Sequence, residues 1–161
     1  MIPIRTAEAK DAPALARIFN PYVGISTMVL RERSAADYLP LLEEERCIVL
    51  VVEVETKVVG YASVKPYSLR GGYGRSAEAS VFLADRVTGR GLGRRLYDEL
   101  FTCARALGYR HFTARIWGDN EGSIRFHASN GFRLVGRQEN IGFVNGRWVD
   151  VVLMERFFAE E

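Results

Sequence analysis

The chain has 161 residues, 48% hydrophobic and 26% charged, with 22 Lys and Arg against 20 Asp and Glu. That balance excludes an intrinsically disordered chain, and a net charge of +2 without a clustered basic stripe argues against a nucleic-acid module. No apolar run approaches the ~20 residues that cross a bilayer, so no membrane is expected as a partner.

The first residues lack the basic and apolar regions of a secretory signal, which together with the composition predicts one soluble, cytoplasmic domain over residues 1–161. Cys47 and Cys103 stand alone and read as reduced, buried small hydrophobes. His111 and His127 are the only histidines and neither has a metal-ligand spacing, so no metal is expected.

Residues 2–5 alternate and predict a short strand. A helix over residues 9–20 follows, with Ala12, Leu15, Ala16, Ile18 and Phe19 on its apolar face and Asn20-Pro21 as its stop. Residues 22–33 carry no clear period. Ser34, with Asp37 three residues on, reads as the cap of a second helix to about Glu45. The period then changes to two. Residues 47–54 and 58–64 are β-branched strands around a turn at Glu55-Thr56-Lys57, residues 67–76 form a glycine-rich loop, and residues 77–83 form a third strand of this group. In that strand Glu78, Ser80 and Phe82 point one way, and Ala79, Val81 and Leu83 the other.

A glycine turn at 89–93 opens a long helix with Leu92, Leu96, Leu100, Ala104 and Leu107 along one face, stopped by Gly108. A strand at 111–116, a short helix from Asn120 or Glu121 to Ser129, and strands at 132–137 and 148–157 complete the chain. Asn145-Gly146 is a hairpin turn signal, and Trp148 just after it reads as strand core. The order βααβββαβαββ predicts an α/β chain with a mixed central sheet.

Residues 81–96 are the most informative stretch. A strand runs into T-G-R-G-L-G-R, whose glycines admit a ligand close to the backbone, and then into a helix whose first N–H groups have no partner. Those N–H groups, the helix dipole and the charges of Arg90, Arg94 and Arg95 favour a phosphate or pyrophosphate. A dinucleotide fingerprint fails because its third glycine would fall on Arg94, and no Gly-Lys pair exists for a Walker loop.

What remains, G-R-G-L-G after a strand and before a long helix, resembles the acetyl-CoA pyrophosphate loop of the GNAT superfamily of N-acetyltransferases. Further segments occur in order: E-A-S-V-F-L (78–83), D-N-x-x-S-I-x-x-H-x-x-x-G-F (119–132) and G-F-x-x-G-R-W-V-D-V (142–151). Together with N-P-Y-V (20–23) and G-Y-A-S (60–63), they resemble the phosphinothricin/methionine sulfoximine acetyltransferase branch over nearly the whole chain. The resemblance implies a splayed, mostly antiparallel sheet flanked by helices, acetyl-CoA as donor wedged between strands 77–83 and 111–116, a small-molecule amine as acceptor, and a homodimer. It also implies site residues. Val81, Phe82 and Leu83 would pair with the pantetheine arm, and Gly89, Arg90, Gly91, Leu92, Gly93 and Arg94 would hold the pyrophosphate. Asn120 would meet the cofactor near its pantetheine end, and Arg70, Gly71, Gly72 and Tyr73 would line the acceptor site. The family usually has Gln or Arg where Thr88 stands, which removes one donor near the phosphates and spares the backbone cradle.

Acetyl transfer to an amine requires that the ammonium lose a proton, that donors meet the developing oxyanion and that the departing thiolate be stabilised. Glu78, on the cofactor-proximal strand, is the candidate general base, acting directly or through water. His127 occupies the place near the thioester sulfur and reads either as acid or donor, or as a histidine capping the core. A backbone N–H of Phe82 or Leu83 is the candidate oxyanion donor. Arg70 is the candidate partner of an acceptor carboxylate. Two other readings stay open: acetylation of a protein N-terminus or lysine, which favours an open acidic groove, and a non-catalytic acyl-CoA-binding sensor.

Overall fold

The computed structural model describes residues 2–160. Seven strands form one sheet: β1 (Ile4–Thr6), β2 (Ile48–Val54), β3 (Lys57–Pro66), β4 (Ser76–Leu83), β5 (His111–Trp117), β6 (Arg133–Val144) and β7 (Arg147–Phe157). Their order across the sheet is β1-β2-β3-β4-β5-β7-β6, and every neighbouring pair is antiparallel except β4–β5. Helices α1 (Ala12–Phe19) and α2 (Ala35–Glu43) cover one face; α3 (Leu92–Ala106) and α4 (Glu121–Ser129) lie on the other. This is the mixed α/β layering that the element order predicts.

Local chemistry explains the boundaries. The Ser34/Asp37 capping box forms as the sequence predicts, with Asp37 Oδ2 accepting from the Ser34 N–H at 2.8 Å. Glu55 and Thr56 both take positive φ, the geometry of a two-residue hairpin turn. The predicted helix over 9–20 is in fact α1 bracketed by single 3-10 turns at Ala9–Asp11 and Asn20–Tyr22, because Pro13 and Pro21 each remove a helical donor.

Four expectations are corrected. Neither cysteine is buried: Cys103, on the outer side of α3, is exposed, and Cys47, just before β2, is half-buried. Leu107 does not extend the apolar face of α3: the helix stops at Ala106, and Leu107 is its C-cap, 41% exposed, before Gly108 turns the chain at φ +98°. Trp148 is not strand core. It lies 63% exposed on the β6–β7 hairpin at the sheet edge, its ring 5.0 Å from Phe143, where no helix covers that face. The strand predicted at 132–137 runs on to Val144, with the ladder shifted between Gln138 and Gly142 and Asn140 at φ +55°.

Two cores result. Leu92, Leu96, Tyr97, Leu100 and Phe101 of α3 pack on Leu50, Val52, Ala62, Val64, Ala77 and Ala79 of the central strands. Leu15, Ile18 and Phe19 of α1 and Tyr38 of α2 pack on Val49, Val51 and Tyr61 from the opposite side. Strand β4 thus meets both cores, through Ala77 and Ala79 on one face and Phe82 on the other, whereas β5 packs through Phe112, Ala114 and Ile116 on the α3 side.

Candidate active site

Strands β4 and β5 pair in parallel at three positions only: Ser76 with His111, Ala77 with Phe112 and Glu78 with Thr113. Beyond Glu78 they part, and the gap becomes a cavity of about 580 Å³ between residues 79–83 and 114–117, floored by α4. A second cavity of about 820 Å³ lies on the α1–α2 side, walled by Phe19, Arg33, Tyr38, Tyr61, Lys65, Glu78 and the β6–β7 hairpin. The two share Ser26, Ser80, Phe82, Arg115, Ile116 and Trp117. A donor entering the first and an acceptor entering the second would meet at this common wall.

The register settles which backbone groups face the gap. The Ala84 N–H donates to Val59 O at 2.8 Å and the Tyr67 N–H to Ser76 O at 3.0 Å, so even-numbered residues of β4 turn their N–H and C=O toward β3. Ala79, Val81 and Leu83 therefore present theirs to the gap. Of the two candidate oxyanion donors, Leu83 has its N–H on the open side, whereas the Phe82 N–H belongs to the β3 ladder. The Leu83 C=O already accepts from the Tyr22 hydroxyl. Tyr22 also lines the gap, and burial together with Asp85 raises its pKa.

At one end of this gap the chain enters α3. Gly89 and Gly91 take φ +76° and +77°, and Gly91 is the N-cap of α3 without a side-chain cap of its own. The first N–H groups of α3 are thus left for a ligand, in a left-handed backbone that favours glycine. Gly89 and Gly93 line the gap; Leu92 is buried in the core, and Arg90 and Arg94 are exposed beside the loop. Arg95 donates to the Ile2 C=O at 2.7 Å and so ties the segment before β1 to α3. Asn120 lines the gap and is the N-cap of α4, its Oδ1 accepting from the Ser123 N–H at 3.2 Å. A phosphate-bearing thioester with an extended amide arm fits this donor set: free N–H groups at the helix end, then alternate N–H groups along β4.

Glu78 lines the acceptor-side cavity and is 20% exposed, with Arg115 Nε at 3.7 Å from its Oε2. His127 lines the gap but is 5% exposed, and both its nitrogens are engaged. Nδ1 donates to the Ser123 C=O at 2.8 Å, which leaves Nε2 to accept from the Tyr97 hydroxyl at 2.8 Å. Burial lowers the His127 pKa, partly offset by the Ser123 carbonyl, so the ring is held neutral at neutral pH. That arrangement matches the core-capping alternative and leaves no ring nitrogen free toward the gap.

Arg70, Gly71, Gly72 and Tyr73 are not brought to either cavity. They sit exposed on the loop between β3 and β4, where the Tyr73 ring lies tilted against Tyr67, centroids 5.2 Å apart. Conversely, Arg33, Arg115 and Trp117 reach the cavities without having stood out in the sequence, and Tyr22 does so from the N-P-Y-V segment, where it carried no site role. Arg115 carried a usable signal, a charged residue alternating with the buried Ala114 and Ile116 on β5. Among the described residues no three His, Cys, Asp or Glu side chains gather as a metal site.

A parted pair of strands, free N–H groups of a helix end beside the gap and a carboxylate on the common wall are features that suit an acyltransferase. Residues 4–153 match the acetyltransferase (GNAT) domain family, and the chain belongs to it. Its donor is acetyl-CoA. The chain is 32% identical to phosphinothricin N-acetyltransferase of Streptomyces viridochromogenes, covering 98% of this chain and 88% of that one. It is likewise 32% identical to L-methionine sulfoximine/L-methionine sulfone acetyltransferase of Salmonella typhimurium, over 94% of this chain and 92% of the relative. Among solved structures, a putative acetyltransferase from Salmonella typhimurium with its cofactor acetyl-CoA superposes with a TM-score of 0.93 at 31% identity, covering 100% of this chain and 96% of the other.

Proposed function

We propose that the protein transfers the acetyl group of acetyl-CoA to the primary amine of a small amino-acid-like acceptor of the phosphinothricin and methionine sulfoximine type. The carrying observation is the pair of cavities with a common wall, one suited to an extended phosphorylated thioester and the other lined by aromatic rings and charged groups. In this reading the 89–94 backbone holds the pyrophosphate, and Val81 and Leu83 bond the pantetheine amides. Glu78 takes one proton from the acceptor ammonium, the nitrogen bonds to the carbonyl carbon, and the C–S bond breaks; the second proton that the nitrogen sheds passes to the departing thiolate, so coenzyme A leaves as the thiol. His127 serves by position, fixing α4 against Tyr97, rather than as an acid.

Acetylation of a protein N-terminus or lysine is less well supported. That reading calls for an open acidic groove, whereas the acceptor cavity carries Arg33, Lys65 and Arg115 against Asp37 and Glu78. A non-catalytic sensor would not need a carboxylate at the junction. The exposed apolar residues Leu134, Val135, Ile141, Phe143 and Trp148 on the β6–β7 hairpin support the homodimer that the resemblance implies. A cytoplasmic place of action fits the need for acetyl-CoA.

The test is Glu78→Gln, which keeps the shape and removes the proton acceptor. Acetyl-CoA binding by calorimetry should survive while kcat falls by about 10²–10⁴, the usual range for a lost general base. The residual rate should climb with pH as more of the acceptor amine arrives deprotonated. Wild-type turnover at pH 7 would remove Glu78 from this role.

A further inference from the structure

Among the described residues, Glu78 and Arg115 hydrogen-bond no other side chain and form an ion pair only with each other. They reach one another across the last rung before the strands part. Glu78 pairs with Thr113, and Arg115, two residues on, projects from the same sheet face on the diagonal. At 3.7 Å from Nε to Oε2 the pair is at ion-pair distance yet too long for a hydrogen bond. Arg115 is 54% exposed, so the attraction is weak and readily exchanged. Arg115 lines both cavities, at the wall where donor and acceptor would meet.

An α-amino acid carries its ammonium and carboxylate on one carbon. A receptor for both must therefore set an anion and a cation side by side, each with hydrogen-bonding capacity to spare. We propose that Arg115 is the receptor for the acceptor's α-carboxylate, and that the Glu78–Arg115 pair selects α-amino acids over other amines. This rests on the reading above, in which Glu78 meets the amine. The incoming ammonium bonds the Glu78 carboxylate while the α-carboxylate bonds the guanidinium terminal nitrogens, so four charges alternate in sign. One loose, wet ion pair gives way to two charge-assisted ones in a site that the donor closes to water.

Other cations answer the requirement less well. Lys65 faces Glu78 from β3 and lines the acceptor cavity, but it makes no ion pair with Glu78 and does not reach the donor gap. Arg33 lies with its guanidinium 3.9 Å over the Phe19 ring, and Asn20 grips its backbone through both N–H and C=O. That fixes it against α1, where it suits the far end of an acceptor side chain rather than the reacting end. Arg70 lines neither cavity.

The test compares L-methionine sulfone with its α-carboxamide, which keeps the amine and side chain and removes the negative charge. At saturating acetyl-CoA, the ratio of kcat/KM for the acid to that for the amide should fall by about 10- to 100-fold in Arg115→Gln, the size of a lost hydrogen bond to a charged group. Arg115→Lys should restore part of the ratio. Circular dichroism and thermal melting establish that the variants fold. An Arg115→Gln enzyme that loses acid and amide activity in equal proportion would overturn the assignment, since a merely structural arginine moves both alike. A wild type that acetylates the acid and amide equally well would overturn it too. A wild type that acetylates neither would instead overturn the acceptor reading on which the assignment rests.

Discussion

Gly91 and Gly93 stand two residues apart at the mouth of α3, and the structure predicts opposite consequences for an added methyl group. At Gly91 a Cβ would meet nothing within 4 Å, so the protein itself offers no steric objection. Its φ of +77° nevertheless costs an L-residue about 1–2 kcal/mol. For a chain of this size that lowers Tm by roughly 2–4 °C per kcal/mol. If the pyrophosphate lies on this backbone, the methyl group also intrudes where the ligand must come closest. Losing one hydrogen bond to a charged oxygen, about 1.5–3 kcal/mol, raises the acetyl-CoA Kd by about 10- to 100-fold. At Gly93 the backbone is helical, and alanine gains up to about 1 kcal/mol of helix propensity. Its Cβ, however, would sit 3.1 and 3.2 Å from Cε2 and Cζ of Phe126, a ring that lines the donor gap and must give way slightly. Gly93→Ala should therefore melt near the wild-type temperature and bind acetyl-CoA only a few-fold more weakly. Calorimetric titration of both variants, beside thermal melts, separates the two effects. Unaltered acetyl-CoA affinity in a folded Gly91→Ala protein would refute the placement of the phosphates.

Two further outcomes follow from groups away from the reaction. Because burial lowers the His127 pKa below its unfolded value near 6.5, its contribution to stability is fully present above that pH. It is lost as pH falls from there through the folded pKa, at up to about 1.4 kcal/mol per pH unit. His127→Gln should flatten the fall in Tm between pH 7.5 and 5, and an identical slope in the variant would show that another group titrates. If the exposed β6–β7 rings close a homodimer, Trp148→Glu should shift sedimentation toward monomer; a wild type already monomeric at micromolar concentration would exclude that surface as a self-interface.

Much of the fold was legible because it rests on local chemistry. The Ser34/Asp37 box, the positive-φ turn at Glu55-Thr56 and the two-residue period of β2 and β3 each announce an element within a few residues. The end of β6 was not legible, since Gln138, Glu139 and Asn140 break the alternation and only pairing with β7 carries the strand past them. The site divides in the same way. The glycine loop and Glu78 could be read locally, but Arg115 joins Glu78 only through the parallel register of β4 and β5, which no single segment encodes. His127 shows the converse: its spacing fits a reactive group, while its Tyr97 and Ser123 partners, one of them 30 residues away, hold both nitrogens. Arg70 was read from its loop, and nothing in the loop reports that it stays out of both cavities.

The parting of β4 from β5 makes the molecule a sheet with a slot in it. Along β4 the even-numbered residues pair with β3, Tyr22 holds the Leu83 C=O, and the Leu83 N–H and both backbone groups of Val81 are left to whatever enters. A donor whose amides occupy that slot supplies a missing strand as well as a reactant. Folding and cofactor supply are then one equilibrium: at a hundred times Kd the bound donor adds about 2.7 kcal/mol to stability. Amide exchange at Val81 and Leu83 would register the concentration of acetyl-CoA directly, and the lifetime of the protein would follow the metabolic supply of its own donor.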